Sequence, residues 1–235
     1  MASGPSYLDQ LFFVALPYVA FAVFFVGTIW RYIDRGFSYS SLSSQFLENR
    51  KHFWGVVPFH YGILVILVGH VIGLLVPRSV LLWNSEPLRL YILETAALIG
   101  GIFTVVGMFL IIVRRLTTPK VKITTTPSDW IIYTLLAIQI LSGLAIALVY
   151  PWGSSWYASS AAPYLWSIVK LNPDIGFVQA APHLVKLHVI NAFLVIGFFP
   201  SSRLVHVLVM PNQYLWRRPQ IVRWYGDWLT ARAKN

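Results

Sequence analysis

The chain reads as an all-α integral membrane protein of five transmembrane helices, N-terminus outside and C-terminus cytoplasmic. Three observations predict it. Of its 235 residues, 57% are hydrophobic and only 11% charged, more apolar side chain than a soluble domain of that length can bury. Five apolar runs reach the length of about 20 residues that crosses a bilayer as a helix. The loops between those runs alternate between basic-rich and basic-poor.

The runs fall at about 11–30, 54–76, 90–113, 130–150 and 184–209, so residues 1–235 form a single membrane domain with a cytoplasmic tail at 210–235. Ahead of the first run stands one charge, Asp9, and no basic segment. A true span is therefore expected there rather than a cleaved signal. Before the fourth run, Ser128 and Asp129 follow Pro127 and suit the start of a helix. The fifth run is taken as one continuous helix. Connections are short except at about 151–182. There "SAAPYLWSIVKLN" is amphipathic, with Tyr164 and Trp166 suited to lying in the membrane interface. Ten Trp and twelve Tyr, several near run ends, fit aromatic belts.

Orientation follows from lysine and arginine. Fourteen of the 18 belong to one set of segments: Arg31, Arg35, Arg50, Lys51, Arg114, Arg115, Lys120, Lys122, Arg203, Arg217, Arg218, Arg223, Arg232 and Lys234. The opposite set holds Arg78, Arg89, Lys170 and Lys186, while the eight acidic residues divide equally. The fourteen are expected in the cytoplasm, and the formal charge of +10 then lies wholly on that side. Such a surplus elsewhere would suggest nucleic acid. Here topology accounts for it, assisted by anionic headgroups, so the expected neighbour is membrane lipid and no nucleic acid.

The absence of cysteine removes disulfides, thiolate metal ligands, iron–sulfur clusters and covalent haem attachment. Any electrons crossing this chain must ride on a non-covalent cofactor and leave to another polypeptide.

Six histidines carry the remaining information. His52, beside Arg50 and Lys51, and His183, after Pro182, read as wet flanking residues. His60, His70, His188 and His206 lie inside the second and fifth runs, where an unpaired polar group costs free energy and marks a functional site. Hydrogen-bonded helix contacts, worth about 1–2 kcal/mol at best, are the competing reading. Two histidines on each of two antiparallel spans favour ligation instead. His60 would meet His206 on the inner side and His70 would meet His188 on the outer side. Each pair has the bis-imidazole form that holds a low-spin haem b between helices. On continuous helices the first spacing rises about 15 Å and turns about 80°, whereas the second rises about 27 Å and returns to the same face. Unequal tilts would have to absorb that difference. Gly62, Gly69, Gly73 and Gly197 flank the histidines, and either a macrocycle or close helix packing explains them.

"PFHYGILVILVGHVIG" together with "KLHVINAFLVIGFFPSSRLVH" resembles the gamma subunit of respiratory nitrate reductase, a dihaem cytochrome b membrane anchor. "WRYIDRGFSYSSLSSQ", "RRLTTPKVKITTTPSDW" and "MPNQYLWRRPQIV" are similar to the same family, so the likeness extends over nearly the whole chain. The resemblance implies two haem b groups with axial bis-His ligation, His70 and His188 holding the outer one and His60 and His206 the inner one. It implies quinol oxidation near the outer face. Electrons would then pass to a cytoplasmic iron–sulfur subunit and on to a molybdenum-containing catalytic subunit. It implies a quinol site using Gly69 and a cation at the outer start of the third span. Arg89 in "NSEPLRLYILE" stands where the family has a lysine. Lys186 and Arg203 are candidates for pairing with haem propionates, Lys186 also for the quinol site, with interfacial anchoring as the alternative. Glu94 either relays a quinol proton or is a hydrogen-bonded interface residue. The implied location is a bacterial or archaeal cell membrane, and the chain alone should reduce no nitrate.

Two rivals remain. The same cytochrome could serve a sulfur-metabolism or heterodisulfide-reductase-like complex, or a nitrite oxidoreductase. A haem-free transporter could use the histidines as a proton path, although the sequence has no inverted repeat or broken-helix pattern.

Overall fold

Proline opens two of the five long helices and stands just before a third, because its missing N–H costs nothing at a helix start. The computed structural model describes residues 6–40, 47 and 50–209. Five of its helices are long and apolar enough to cross a membrane, which makes this a multi-pass membrane protein. They are α1 (Tyr7–Arg35), α2 (Arg50–Leu75), α3 (Pro87–Thr117), α4 (Pro127–Val149) and α5 (His183–Phe198). Pro87 and Pro127 begin α3 and α4, and Pro182 precedes α5. The start of α4 corrects the sequence expectation by two residues. Thr126 is the cap, and Asp129 closes a capping box by accepting from the Thr126 N–H.

The helices pack in the spatial order α2, α3, α4, α5, α1, and α2 and α5 are not among the closely packed pairs. The ends where α1, α3 and α5 begin form what we term the N face. The opposite ends form the basic face, with Arg31, Arg114, Arg115 and Arg203. The predicted tail at 210–235 lies outside the described residues.

The α2–α3 seam is set by small residues. A Cβ on Gly107 would sit 2.4 Å from the Phe59 nitrogen, and one on Gly62 would sit 2.5 Å from the Gly100 carbonyl oxygen. Backbones this close need glycine on one side. Gly73 and Gly197 also serve packing, against Tyr157 and Ala20, whereas a Cβ on Gly69 would meet nothing within 4 Å. Of the four glycines flanking the histidines, only Gly69 borders open space.

Pro17 explains a feature of α1. It cannot donate to the carbonyl of Phe13 four residues back, and the helix widens into a π turn over Leu11–Ala15. The Tyr164 hydroxyl supplies the missing donor, bonding to the Phe13 oxygen at 2.7 Å. Tyr164 belongs to the segment expected to lie in the interface. That segment folds instead as helical turns Gly153–Trp156, Tyr157–Ala161 and Ala162–Val169. Its Tyr164 and Ile168 join Phe13, Ala20, Val178 and Phe193 in a buried cluster. Trp166 remains half-exposed and donates to the Leu74 carbonyl.

The fifth run departs most from expectation. Its α-helix stops at Phe198 rather than continuing to 209. A 3-10 turn follows at Phe199–Ser201, then an extended Ser202 and a second 3-10 stretch at Arg203–Val209. Pro200 has no N–H to continue the ladder. Arg31 of α1 caps the freed carbonyls of Pro200 and Ser202 at 2.6 and 2.8 Å. His188 and His206 thus do not share a helix, and the comparison of rise and phase across eighteen residues does not apply.

Two substitutions test this packing in thermal denaturation of the detergent-solubilised protein. Tyr164→Phe should lower stability by about 1–3 kcal/mol, since it strands a buried carbonyl. Gly107→Leu should cost at least as much, because overpacking here pushes on backbone, while Gly69→Leu leaves the melting midpoint unchanged.

Candidate metal-ligating histidine pairs

A carbonyl oxygen can only accept, so any ring nitrogen bonded to one carries its proton. His60 Nδ1 donates to the Val56 oxygen and His70 Nδ1 to the Ile66 oxygen, each at 2.8 Å and one turn back on α2. His206 Nδ1 donates to the Arg203 oxygen at 2.7 Å. In all three the lone pair is therefore on Nε2, which makes no hydrogen bond among the described residues. A histidine that gives Nδ1–H to a carbonyl and keeps Nε2 basic is in the form that binds metals.

His60 and His206 face each other across the gap between α2 and the broken end of α5, with ring centroids 6.3 Å apart. An imidazole nitrogen sits about 2 Å from a transition metal. Two such bonds plus the two half-rings span about 6 Å, so the separation fits one metal held between the rings. A cavity of about 330 Å³ adjoins the pair, lined by His52, Phe59, Arg114, Arg115, Tyr133 and Arg203 among others.

Among the described residues, Arg114, Arg115 and Arg203 line this cavity with one carboxylate, Asp129. Asp129 accepts from Arg203 Nε and Nη2 at 2.5 and 2.6 Å and lies 4.0 Å from Arg115. Arg115 also donates to Thr125 through Nη1, yet its buried Nε has no partner. Such a basic lining suits an anionic group, such as the propionates of a haem. Arg203, expected to meet a propionate, is instead held by Asp129 and the Thr124 carbonyl. Its own carbonyl receives His206.

Towards the N face stand His70 on α2 and His188 on α5. The Tyr157 ring packs edge-on to His70 with centroids 5.1 Å apart, and its hydroxyl donates to the His70 carbonyl. Burial raises the Tyr157 phenol above its ordinary range, which keeps this donor protonated. His188 is handled differently. Its Nδ1 lies 2.9 Å from Ser142 Oγ on α4, and the Gln139 amide nitrogen lies 3.0 Å from its Nε2. Asn191 fixes the amide by donating to Gln139 Oε1 and to the Leu135 carbonyl. Gly143 makes room, since a Cβ there would come 2.9 Å from His188 Cε1. A metal at Nε2 requires the Gln139 side chain to swing aside. Sequence reading missed this network, although Gln139, Ser142 and Asn191 were visible as polar residues inside apolar runs.

The other expected residues separate. Arg89, in the first turn of α3, stacks its guanidinium 5.5 Å from the Trp83 ring, and Trp83 donates to the Arg89 carbonyl. Lys186 is turned to α1, where it pairs with Asp9 at 3.5 Å over the Phe13 ring. Glu94 accepts from the Ser154 hydroxyl and backbone N–H. His183 is exposed at the start of α5, and His52 lines the basic-face cavity.

Residues 9–225 match the family described as nitrate reductase gamma subunit. The chain is 31% identical to the nitrate reductase gamma chain of Bacillus subtilis, over 91% of this chain and 97% of that protein. It is 34% identical to the respiratory nitrate reductase 2 gamma chain of Escherichia coli, over 92% and 97%. A weaker likeness, 23% over 83% and 74%, reaches the Hdr-like menaquinol oxidoreductase cytochrome b-like subunit of Archaeoglobus profundus. With a family match over most of its length and relatives above 30% identity, this chain belongs to the nitrate reductase gamma subunit family.

Proposed function

We propose that this chain is the quinol-oxidising dihaem cytochrome b subunit and membrane anchor of a nitrate-reductase-type complex. The observation that carries the reading is the His60–His206 pair, whose rings stand 6.3 Å apart with both Nδ1 protons committed to carbonyls. His60 and His206 would hold one haem b, and His70 and His188 the other. When bound, the two haems supply one-electron carriers between the faces of the membrane.

The lysine and arginine distribution supports an N face outside and a basic face in the cytoplasm. The quinol site is then on the N face beside His70, where Gly69 leaves the surface of α2 open. Arg89, held over Trp83, is the cation that donates to the quinol oxygen and favours its deprotonated form. Lys186 is the poorer candidate for this role, because Asp9 already neutralises it. Protons released there enter the outer water. On the basic face, Arg114 and Arg115 neutralise the propionates of the inner haem, while Asp129 holds Arg203. That face would dock a cytoplasmic iron–sulfur subunit, which passes electrons to a molybdenum-containing catalytic subunit.

The archaeal relative favours one second reading, the same cytochrome serving a heterodisulfide-reductase-like quinol-linked complex. Which soluble subunits co-purify decides between the two.

A pyridine haemochrome assay on the purified chain should return two b haems, and a colourless preparation would end the proposal. His70→Leu or His188→Leu should remove one haem and abolish quinol oxidation. His60→Leu should remove the other haem and block transfer to the soluble subunits while quinol still reduces the remaining one. Arg89→Ala deletes a charged hydrogen bond worth about 1.5–3 kcal/mol. It should therefore raise the quinol KM about tenfold or more with both haems retained, as steady-state oxidation of a soluble quinol would read.

A further inference from the structure

The Ser142 hydroxyl has one proton, and Ser142 Oγ lies 3.1 Å from the Gln139 carbonyl oxygen, which can only accept. With Nε2 of His188 given to the metal, Nδ1 carries the ring proton, and the Ser142 oxygen accepts it at 2.9 Å while its own proton goes to the Gln139 carbonyl. Three of the four proposed ligands give Nδ1–H to a backbone carbonyl, and His188 alone gives it to a side chain. Asn191 donates to the Leu135 carbonyl and to Gln139 Oε1, which turns the Gln139 amide nitrogen to the ring, 3.0 Å from Nε2 and 3.3 Å from Nδ1. That amide moves aside when Nε2 binds a metal, whereas Ser142 keeps its place at Nδ1. Ser142 and Asn191 are both buried.

We propose that Ser142 is a positioning and tuning residue for His188, and through it for the outer haem only. The inference rests on the reading that His188 is an iron ligand. The hydrogen bond at Nδ1 sets two properties of the ligand. It fixes the tautomer that presents the Nε2 lone pair, and it sets how much electron density the imidazole returns to the metal. A stronger acceptor at Nδ1 makes the ring a better donor and favours the oxidised metal. Loss of the acceptor does the reverse. A hydroxyl already donating elsewhere is a better acceptor than an isolated one, because hydrogen bonds in a chain polarise one another. The Ser142–Gln139 bond therefore strengthens the Ser142–His188 bond. His60 and His206 have no contact with this network and should not respond.

The test is potentiometric titration of the intact complex in its membrane, with the two haems resolved by their ferric electron paramagnetic resonance signals. Ser142→Ala should shift the oxidised-to-reduced ratio of the outer haem about threefold to tenfold towards the reduced form, tenfold being about 59 mV for one electron. Its resonance position should move while the inner haem stays at its wild-type potential. Ser142→Thr, which keeps the hydroxyl, should restore the outer haem, and Ser142→Cys, a weaker acceptor, should fall between. An outer haem unmoved by Ser142→Ala and Ser142→Cys would overturn the inference, as would an equal shift of both haems. His188→Leu is the separate control. If that variant keeps both haems, the ligand assignment itself fails. If it loses one haem while Ser142→Ala is silent, only the role of Ser142 fails.

Discussion

An imidazole inside a hydrocarbon layer has two nitrogens to satisfy and no water to satisfy them. This constraint organises the whole molecule. In His60 and His70 one nitrogen is dealt with locally, by the carbonyl one turn back on the same helix, which costs no extra residue. The other nitrogen cannot be satisfied that way, because it points off the helix. Either a second helix brings a polar group to it or a metal does. For His60 the facing group is another imidazole with the same problem, already committed through Nδ1 to its own backbone. Two lone pairs facing each other repel unless something electrophilic lies between them.

The bundle is arranged so that the gap stays available. α2 is committed to α3 through the glycines of its own and the facing helix, leaving its histidine-bearing surface outside that seam. α5 is committed to α4 on one side and α1 on the other. Gly197 packs on Ala20, Phe193 on Phe21, and Asn191 binds α4. Neither histidine-bearing helix needs the other for its packing, so their separation is set by what lies between them and by the end contacts. Those contacts are Tyr157 and Trp166 on the N face, whose donors reach the His70 and Leu74 carbonyls of α2.

Much of this was legible in the sequence, and the parts that were not share a cause. Composition and run length gave five spans, since neither depends on tertiary contacts, and the described helices agree with them. The four intramembrane histidines stood out for the same reason: a polar residue in an apolar run is conspicuous without knowing its neighbours. What pattern alone could not resolve was anything decided by a partner far away in sequence. The helix break after Phe198 was obscured because apolar residues resume beyond Ser201, Ser202 and Arg203 in "LVHVLV", and a proline inside a membrane helix can kink it without ending it. The break is made tenable by Arg31, 169 residues from the Pro200 carbonyl it caps. Tyr164 looked like an interface anchor because its partner, the carbonyl orphaned by Pro17, lies 151 residues away. Lys186 and Arg203 had the right charge near the right histidines, but carboxylates on other helices, Asp9 and Asp129, take them.

The break in α5 also makes the two histidine pairs unlike each other. His188 is a residue within a helix, its ring held by side chains of a neighbouring helix, so its setting is adjustable by single side-chain changes. His206 lies on a 3-10 stretch and is held through its backbone. Arg31 secures the chain just before it, and the Arg203 guanidinium is gripped by Asp129, which is itself fixed by the capping box with Thr126 at the start of α4. Arg203 thus links Asp129 to the carbonyl that receives His206 Nδ1, so the ionic cluster on the basic face sets the position of the His206 ring. Charge there is costly to bury, and a pair is worth keeping in a low-dielectric site mainly where it fixes geometry. At the basic face that geometry is the 6.3 Å between His60 and His206. Of the arginines that line this cavity, Arg203 also locks the turn, so one side chain serves both the placement of His206 and the charge balance of the cavity. Ligand placement and charge balance at this end are therefore one structural feature, whereas at the N face they are separable.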